Sequence, residues 1–161
     1  MSTEMFCYQC EQTGRNGTGC YDIGVCGKDA KTAAVQDIII YLAKGIANYL
    51  SRARKLGVTN SELDKVLVDS LFYSVTNVNF DADFLAKHIQ ILKEKRLLAR
   101  QLYESACAKE NTVADILTGP ASFEPADDID SLISQAAEFS IAKKIEKLGD
   151  DLAGLQELLM Y

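Results

Sequence analysis

Four of the five cysteines lie close together near the N-terminus, at Cys7, Cys10, Cys20 and Cys26. Their spacing is C-x2-C-x9-C-x5-C, whereas Cys107 stands alone far along the chain. Thiolates are soft ligands that hold zinc or iron–sulfur clusters, and four of them complete either kind of site. The surrounding stretch is polar and rich in glycine, so four thiols buried as small apolar side chains are a poor explanation. The constellation therefore predicts a metal or cluster site on these four cysteines.

Three kinds of thiol chemistry compete for this spacing. A redox disulfide of the thioredoxin kind needs its C-x-x-C pair between a strand and a helix, a context that the sequence does not offer. Structural zinc usually takes a second closely spaced pair, whereas five residues separate Cys20 from Cys26 and no histidine lies near them. A [4Fe–4S] cubane is larger than one ion, so its ligands can be spread over an open loop whose glycine N–H groups approach the sulfides. An iron–sulfur cluster is the preferred prediction, and a zinc-stabilised helical binding module without redox function is the alternative.

A loop of residues 1–28 is predicted to carry these ligands. Five of the ten glycines lie between positions 14 and 27. Such a density excludes a regular helix, because each interior glycine costs roughly 1 kcal/mol relative to alanine. The stretch also has too few large apolar residues to hold its own shape, so we expect it to bend tightly around a bound group.

Helices must position this loop, and the fold is predicted to be all-α. From Asp29 onward, apolar residues recur every three or four positions, as in amphipathic helices. Residues 29–117 are predicted to form an antiparallel three-helix bundle, because three long amphipathic helices joined by short loops favour that arrangement. We place these helices from Asp29 to about Leu56, from Ser61 to about Val75 and from Asp83 to about Lys109.

The rest of the chain is predicted to connect to a second bundle. Residues 118–148 contain both prolines and are expected to form a connection with short helices. Residues 149–161 are interpreted as the start of a second, truncated bundle, because Leu155–Tyr161 aligns without gaps on Val35–Tyr41. The chain stops at Tyr161 without the signals that usually end a helix, so we expect a piece of a longer protein. The apolar stripe of the last helix then favours a homodimer.

Composition and charge exclude several functions. The 161 residues are 48% apolar and 25% charged, as expected of one globular domain. The net charge of −6 argues against nucleic-acid binding. No apolar run is long enough to span a membrane and no secretory signal is present, so a cytoplasmic protein is expected. The basic cluster of Lys93, Lys95, Arg96 and Arg100 is interpreted as a solvated helix surface.

Known catalytic patterns are also missing from the sequence. It contains no Ser-His-Asp set, phosphate-binding loop or dinucleotide glycine pattern, so no catalytic residue is assigned. The single histidine, His88, has no ligand partner at suitable spacing and is expected to be a half-exposed bundle residue. Cys107 is expected to be an inert thiol within the third helix.

Several motifs resemble one known family. The opening Met5–Thr13 (MFCYQCEQT), the pair Gly19-Cys20 and the run Gly24–Lys28 (GVCGK) resemble the N-terminus of the hybrid cluster proteins. These are also called prismane proteins or hydroxylamine reductases. The resemblance continues at Gln36-Asp37 and at Lys44–Ala47, and it covers essentially the whole chain.

The resemblance implies an electron-relay domain of a much longer oxidoreductase. In the family, the first domain is made of two three-helix bundles, and its four N-terminal cysteines bind a conventional iron–sulfur cluster. That cluster passes electrons to a hybrid iron–sulfur–oxygen cluster, whose ligands lie in later domains and which reduces hydroxylamine to ammonia. The implied partners are the remainder of the protein and an electron-donor protein, and this chain alone is expected to be inactive. The x9 gap between Cys10 and Cys20 keeps a [2Fe–2S] cluster as the alternative to [4Fe–4S].

Overall fold

The structure is a computed structural model. It describes residues 5–7, 10, 12, 14, 19–75 and 79–160, the last without its side chain, and most of these residues are helical. The remaining positions of the predicted cluster-binding loop, and Tyr161, lie outside the described residues. The described helices are α1 Ala30–Lys55, α2 Ser61–Val75, α3 Ala82–Lys109, the 3₁₀ helix Gly119–Ser122, α4 Ile129–Ala136, α5 Ile141–Leu148 and α6 Asp150–Met160. Within these ranges no β-strand occurs, and the prediction of an all-α fold is confirmed.

The central element is α1, against which α2, α3, the 3₁₀ helix and α4 all pack. It begins where predicted, because a side-chain oxygen of Asp29 accepts a hydrogen bond of 2.7 Å from the Thr32 backbone N–H. It ends before Gly57, whose φ of 75° stops the helix. The predicted apolar stripe is fully buried in the core at Val35, Ile38, Ile39, Leu42 and Ile46.

The next two helices also start at polar caps. Before α2, Asn60 accepts a hydrogen bond of 3.0 Å from the Leu63 backbone N–H. Before α3, Asp81 accepts from the N–H groups of Asp83 and Phe84, so this helix begins one residue earlier than predicted. The face of α3 that contacts α1 is apolar and includes Leu85, Ile89, Leu92 and Ala99.

The connection after α3 folds back over α1 and α3, and it corrects the interpretation of Arg96 as a solvated residue. Arg96 is only 3% exposed. Its guanidinium donates to the Ala121 carbonyl at 2.5 Å and to the Glu124 carboxylate. The physical reason is that the buried backbone of the 3₁₀ helix needs donors, and the Tyr49 hydroxyl supplies another to the same carbonyl at 3.2 Å.

The last two helices pack on each other across Gly149 and present an apolar stripe outward. Ala153 and Glu157 form the buried side of α6. Four leucines on its other side are between 55% and 86% exposed: Leu152, Leu155, Leu158 and Leu159. Just before α5, the ring of Phe139 stacks on that of Tyr41 in α1, with 4.0 Å between centroids. Among the described residues, no helix combines the length and apolar character needed to cross a membrane.

Candidate cluster-binding site

Backbone hydrogen bonds place Cys7 beside Cys20. The Cys7 N–H donates to the Cys20 carbonyl at 3.0 Å, and the Cys20 N–H donates back to the Cys7 carbonyl at 2.8 Å. The Met5 N–H extends this pairing to the Tyr21 carbonyl at 3.2 Å. The first and third predicted ligands are therefore held side by side by an antiparallel bridge and not only by side-chain packing.

A tight turn carries Cys26 toward the start of α1. The Gly24 N–H donates to the Lys28 carbonyl at 2.7 Å, and the Gly27 N–H donates to the Gly24 carbonyl at 2.8 Å. Gly27 has a φ of 92°, a conformation that glycine adopts without strain. The turn ends at Asp29, the N-cap of α1, so the central helix of the fold fixes the position of this part of the loop.

Glycines approach two of the sulfur atoms closely. The Gly14 N–H donates to the Cys20 Sγ at 3.4 Å. A Cβ on Gly24 would lie 3.0 Å from the Cys26 Sγ, which is too close for an ordinary side chain. Backbone N–H groups and open space around sulfur are what a thiolate-bound iron–sulfur cluster uses to stabilise its charge. The residues present therefore fit the group that the sequence predicts.

The four cysteines differ in burial. Cys20 is buried, whereas Cys7, Cys10 and Cys26 are partly exposed. In the ranges that the structure describes, no three His, Cys, Asp or Glu side chains converge on a position for one metal ion.

A small cavity with a mixed polar and apolar lining adjoins this loop. It has a volume of about 10 Å³, the room of one water molecule, and its lining includes Cys7, Lys28, Gln36 and Asp37. Lys28 and Gln36 are almost completely buried. Sequence reasoning assigned no role to these polar residues, although Lys28 closes the GVCGK run and Gln36-Asp37 belongs to the family resemblance.

Charged groups from three helices surround Asp37. Burial and the nearby Glu157 raise the pKa of Asp37 to about 7, against the opposing effect of Lys28, Lys44 and Lys144. Glu157 is itself buried, and it pairs with Lys144 and, at 3.8 Å, with Lys44. Burial and the neighbouring Lys144 lower the pKa of Lys44. Asp37 and Glu157 occupy equivalent positions in the aligned segments Val35–Tyr41 and Leu155–Tyr161. That alignment did not predict that the two side chains lie near each other.

The two other residues with reactive side chains lie in α3. Cys107 is buried in the core, and His88 is partly buried with its ring at 4.9 Å from that of Tyr73 in an edge-on contact. Burial lowers the pKa of His88. Neither residue belongs to the lining of the cavity beside Cys7.

These features define an all-α protein built around the central helix α1. The model of the Prismane/CO dehydrogenase family matches residues 5–161, and the chain belongs to this family. The resemblance to prismane proteins is thereby confirmed.

Several curated proteins that are similar to this chain are named hydroxylamine reductase. The chain is 44% identical over 160 residues to a hydroxylamine reductase of Acidithiobacillus ferrooxidans, covering 98% of this chain and 29% of that protein. It is 42% identical over 157 residues to the hydroxylamine reductase of Rhodospirillum rubrum, covering 98% of this chain and 28% of the relative. The hydroxylamine reductase of Geobacter sulfurreducens is 37% identical over 159 residues, with the same coverage of 98% and 28%. The chain thus spans less than a third of the length of these relatives.

Proposed function

We propose that this chain binds an iron–sulfur cluster through Cys7, Cys10, Cys20 and Cys26 and relays single electrons within a hydroxylamine-reductase-type oxidoreductase. The observation that carries the proposal is the local geometry of the loop, where Cys7 and Cys20 are paired and the Gly14 N–H points at the Cys20 sulfur. Membership of the Prismane/CO dehydrogenase family and relatives named hydroxylamine reductase support it.

The chain's own residues bind the cluster and adjust its charge. The four thiolates would hold it, with [4Fe–4S] as the preferred form and [2Fe–2S] as the alternative. The cluster supplies one-electron transfer, which breaks no bond. The buried position of Cys20 and its hydrogen bond from Gly14 protect and stabilise the thiolate on the side facing the fold.

The chemistry on nitrogen belongs to the remainder of the oxidoreductase. Reduction of hydroxylamine to ammonia and water consumes two electrons and two protons, so a one-electron carrier must deliver twice to a separate active site. We place that site on a hybrid iron–sulfur–oxygen cluster in the rest of the protein, with an electron-donor protein as the external partner. The isolated chain is then inactive on hydroxylamine, and measurable reduction by it would contradict this assignment.

The ligand assignment is tested by comparing two cysteine substitutions. We expect Cys26→Ser to lose most of the bound iron and the visible absorption after anaerobic purification, because one of four ligands is removed. Cys107→Ser is the control, since it also removes one thiol but outside the loop, and it is expected to retain both the iron and the absorption. Equal iron in the two variants would show that Cys26 is not a ligand. A colourless protein with about one zinc per chain would favour the zinc-stabilised module.

A further inference from the structure

We propose that the buried ammonium group of Lys28, opposed by the carboxylate of Asp37, sets the reduction potential of the cluster held by the four cysteines. The inference rests on the proposed function and assigns a role to two residues that are not ligands. It concerns how readily the cluster accepts an electron and not whether the cluster binds.

Lys28 is the last residue of the ligand loop, two residues after Cys26, and it is buried. Only 2% of its surface is exposed. A Cβ on Gly24 would lie 3.0 Å from the Cys26 Sγ and 3.2 Å from the Lys28 Cβ, so the sulfur and the start of the lysine side chain approach the same glycine. Lys28 also lines the cavity that Cys7 lines. The lysine is therefore adjacent to the first and the fourth predicted ligand.

The cavity offers an unused hydrogen-bond acceptor. Gln36 also lines it and is buried, and its side-chain N–H group donates to the Tyr73 carbonyl at 3.1 Å. Its Oε1 atom is buried and has no hydrogen-bond partner among the residues that the structure describes. A buried acceptor without a partner is unfavourable, so the cavity is suited to a donor such as an ammonium group or a water molecule bound to one.

Asp37 is the carboxylate that shares this cavity with Lys28. The other charged groups that face Asp37 are Glu157, Lys44 and Lys144. Both lysines pair with Glu157, and none of these three residues belongs to the cavity lining. The charged side chains that line this cavity are therefore Lys28 and Asp37, and each can be removed separately.

Charge determines the sign of each effect. When one electron from an external donor enters the cluster, the site becomes more negative by one unit and no bond forms or breaks. A nearby cation stabilises that added charge and a nearby anion opposes it, and both effects are larger where water is partly excluded. Lys28 therefore favours reduction, and Asp37 disfavours it. An exposed lysine such as Lys31, near the start of α1, is screened by water and has little influence.

The test compares three substitutions in cluster-loaded protein at one alkaline pH. The cluster is titrated with dithionite and redox mediators, and its reduced EPR signal is followed. We expect Lys28→Met to make reduction about tenfold less favourable, a potential lower by about 59 mV for one electron. Asp37→Asn is expected to shift the potential in the opposite direction. The control Lys31→Met removes a half-exposed lysine and is expected to change the equilibrium by less than about threefold.

Each outcome decides between the possibilities. Potentials that do not move, or that move in the same direction for Lys28→Met and Asp37→Asn while iron content stays equal to wild type, would overturn the role of Lys28. A structural disturbance would give shifts of one sign, whereas electrostatics requires opposite signs. If Lys28→Met does not retain iron, the sign of the change in reduction potential in Asp37→Asn is the remaining test of the electrostatic effect. Wild-type protein without iron would instead overturn the proposed cluster, and the role of Lys28 with it.

Discussion

Gly45 is the glycine at which an added side chain would meet the closest neighbouring atoms. It lies in the middle of α1, where alanine is ordinarily the better residue by roughly 1 kcal/mol. Here a Cβ would stand 2.2 Å from the Pro120 carbonyl oxygen and 2.8 Å from its carbon. These are backbone atoms of the 3₁₀ helix, so a side-chain rotation cannot relieve the contact. We therefore expect Gly45→Ala to destabilise the protein.

The magnitude follows from what holds the 3₁₀ helix in place. To admit the methyl group, Pro120 must move outward by about 1 Å, and overpacking of this kind typically costs about 1–3 kcal/mol. The movement also strains the hydrogen bonds that the Ala121 carbonyl accepts from Tyr49 and Arg96, a loss of about 1–2 kcal/mol. After subtraction of the gain in helix propensity, the net loss is about 1–4 kcal/mol. For a domain of this size that lowers the Tm by roughly 2–15 °C.

The assay is thermal unfolding followed by far-ultraviolet circular dichroism, with Gly154→Ala as the matched control. Gly154 is also inside a helix, α6, but nothing lies within 4 Å of its missing Cβ. The control is therefore expected to gain about 0.5–1 kcal/mol. A Gly45→Ala variant as stable as wild type would refute the close approach of Pro120 to α1.

Two further predictions concern buried charge. The pKa of Asp37 is raised from 3.8 to about 7 on folding. Between these values the native state holds a proton that the unfolded state has released, so the contribution of Asp37 to stability is fully present below about pH 4 and is lost as the pH rises through about 7. Asp37→Asn should remove this contribution in urea unfolding at a series of pH values, and an unchanged slope would count against the raised pKa of Asp37. Arg96→Met leaves the Ala121 carbonyl short of a donor, so we expect a loss of about 2–4 kcal/mol. Its control, Arg100→Met, removes an exposed partner of Glu104 and should leave stability almost unchanged; equal effects would show that Arg96 is not buried in solution.

Local signals were sufficient to predict the helices. A helix cap and an apolar period each depend on residues that are close in sequence. The structure confirms Asp29 and Asn60 as caps and the apolar face of α1 as buried. Arg96 was misinterpreted because its environment is created at a distance, where residues 119–124 fold back over α3. A basic cluster on a helix does not by itself reveal which member lies beneath a later segment.

The candidate site also combines features that local sequence predicts with features that depend on distant segments. The spacing of the four cysteines indicated a thiol site from sequence alone, and that assignment stays a prediction until metal is measured. The polar surroundings were not predictable, because Lys28 and Gln36 become buried only when the loop packs on α1, and Glu157 reaches Asp37 only when α5 and α6 return to it. The equivalent positions of Asp37 and Glu157 in the two aligned segments do not predict that these residues are neighbours in the fold.

The most direct measurement is the metal content of anaerobically purified protein together with its EPR spectrum before and after reduction. We predict about four iron atoms per chain, brown colour and an EPR signal that develops on reduction, as a [4Fe–4S] centre requires. About two iron atoms would identify the smaller cluster and leave the relay intact. About one zinc atom per chain, with no colour and no signal, would contradict an electron-relay site on Cys7, Cys10, Cys20 and Cys26.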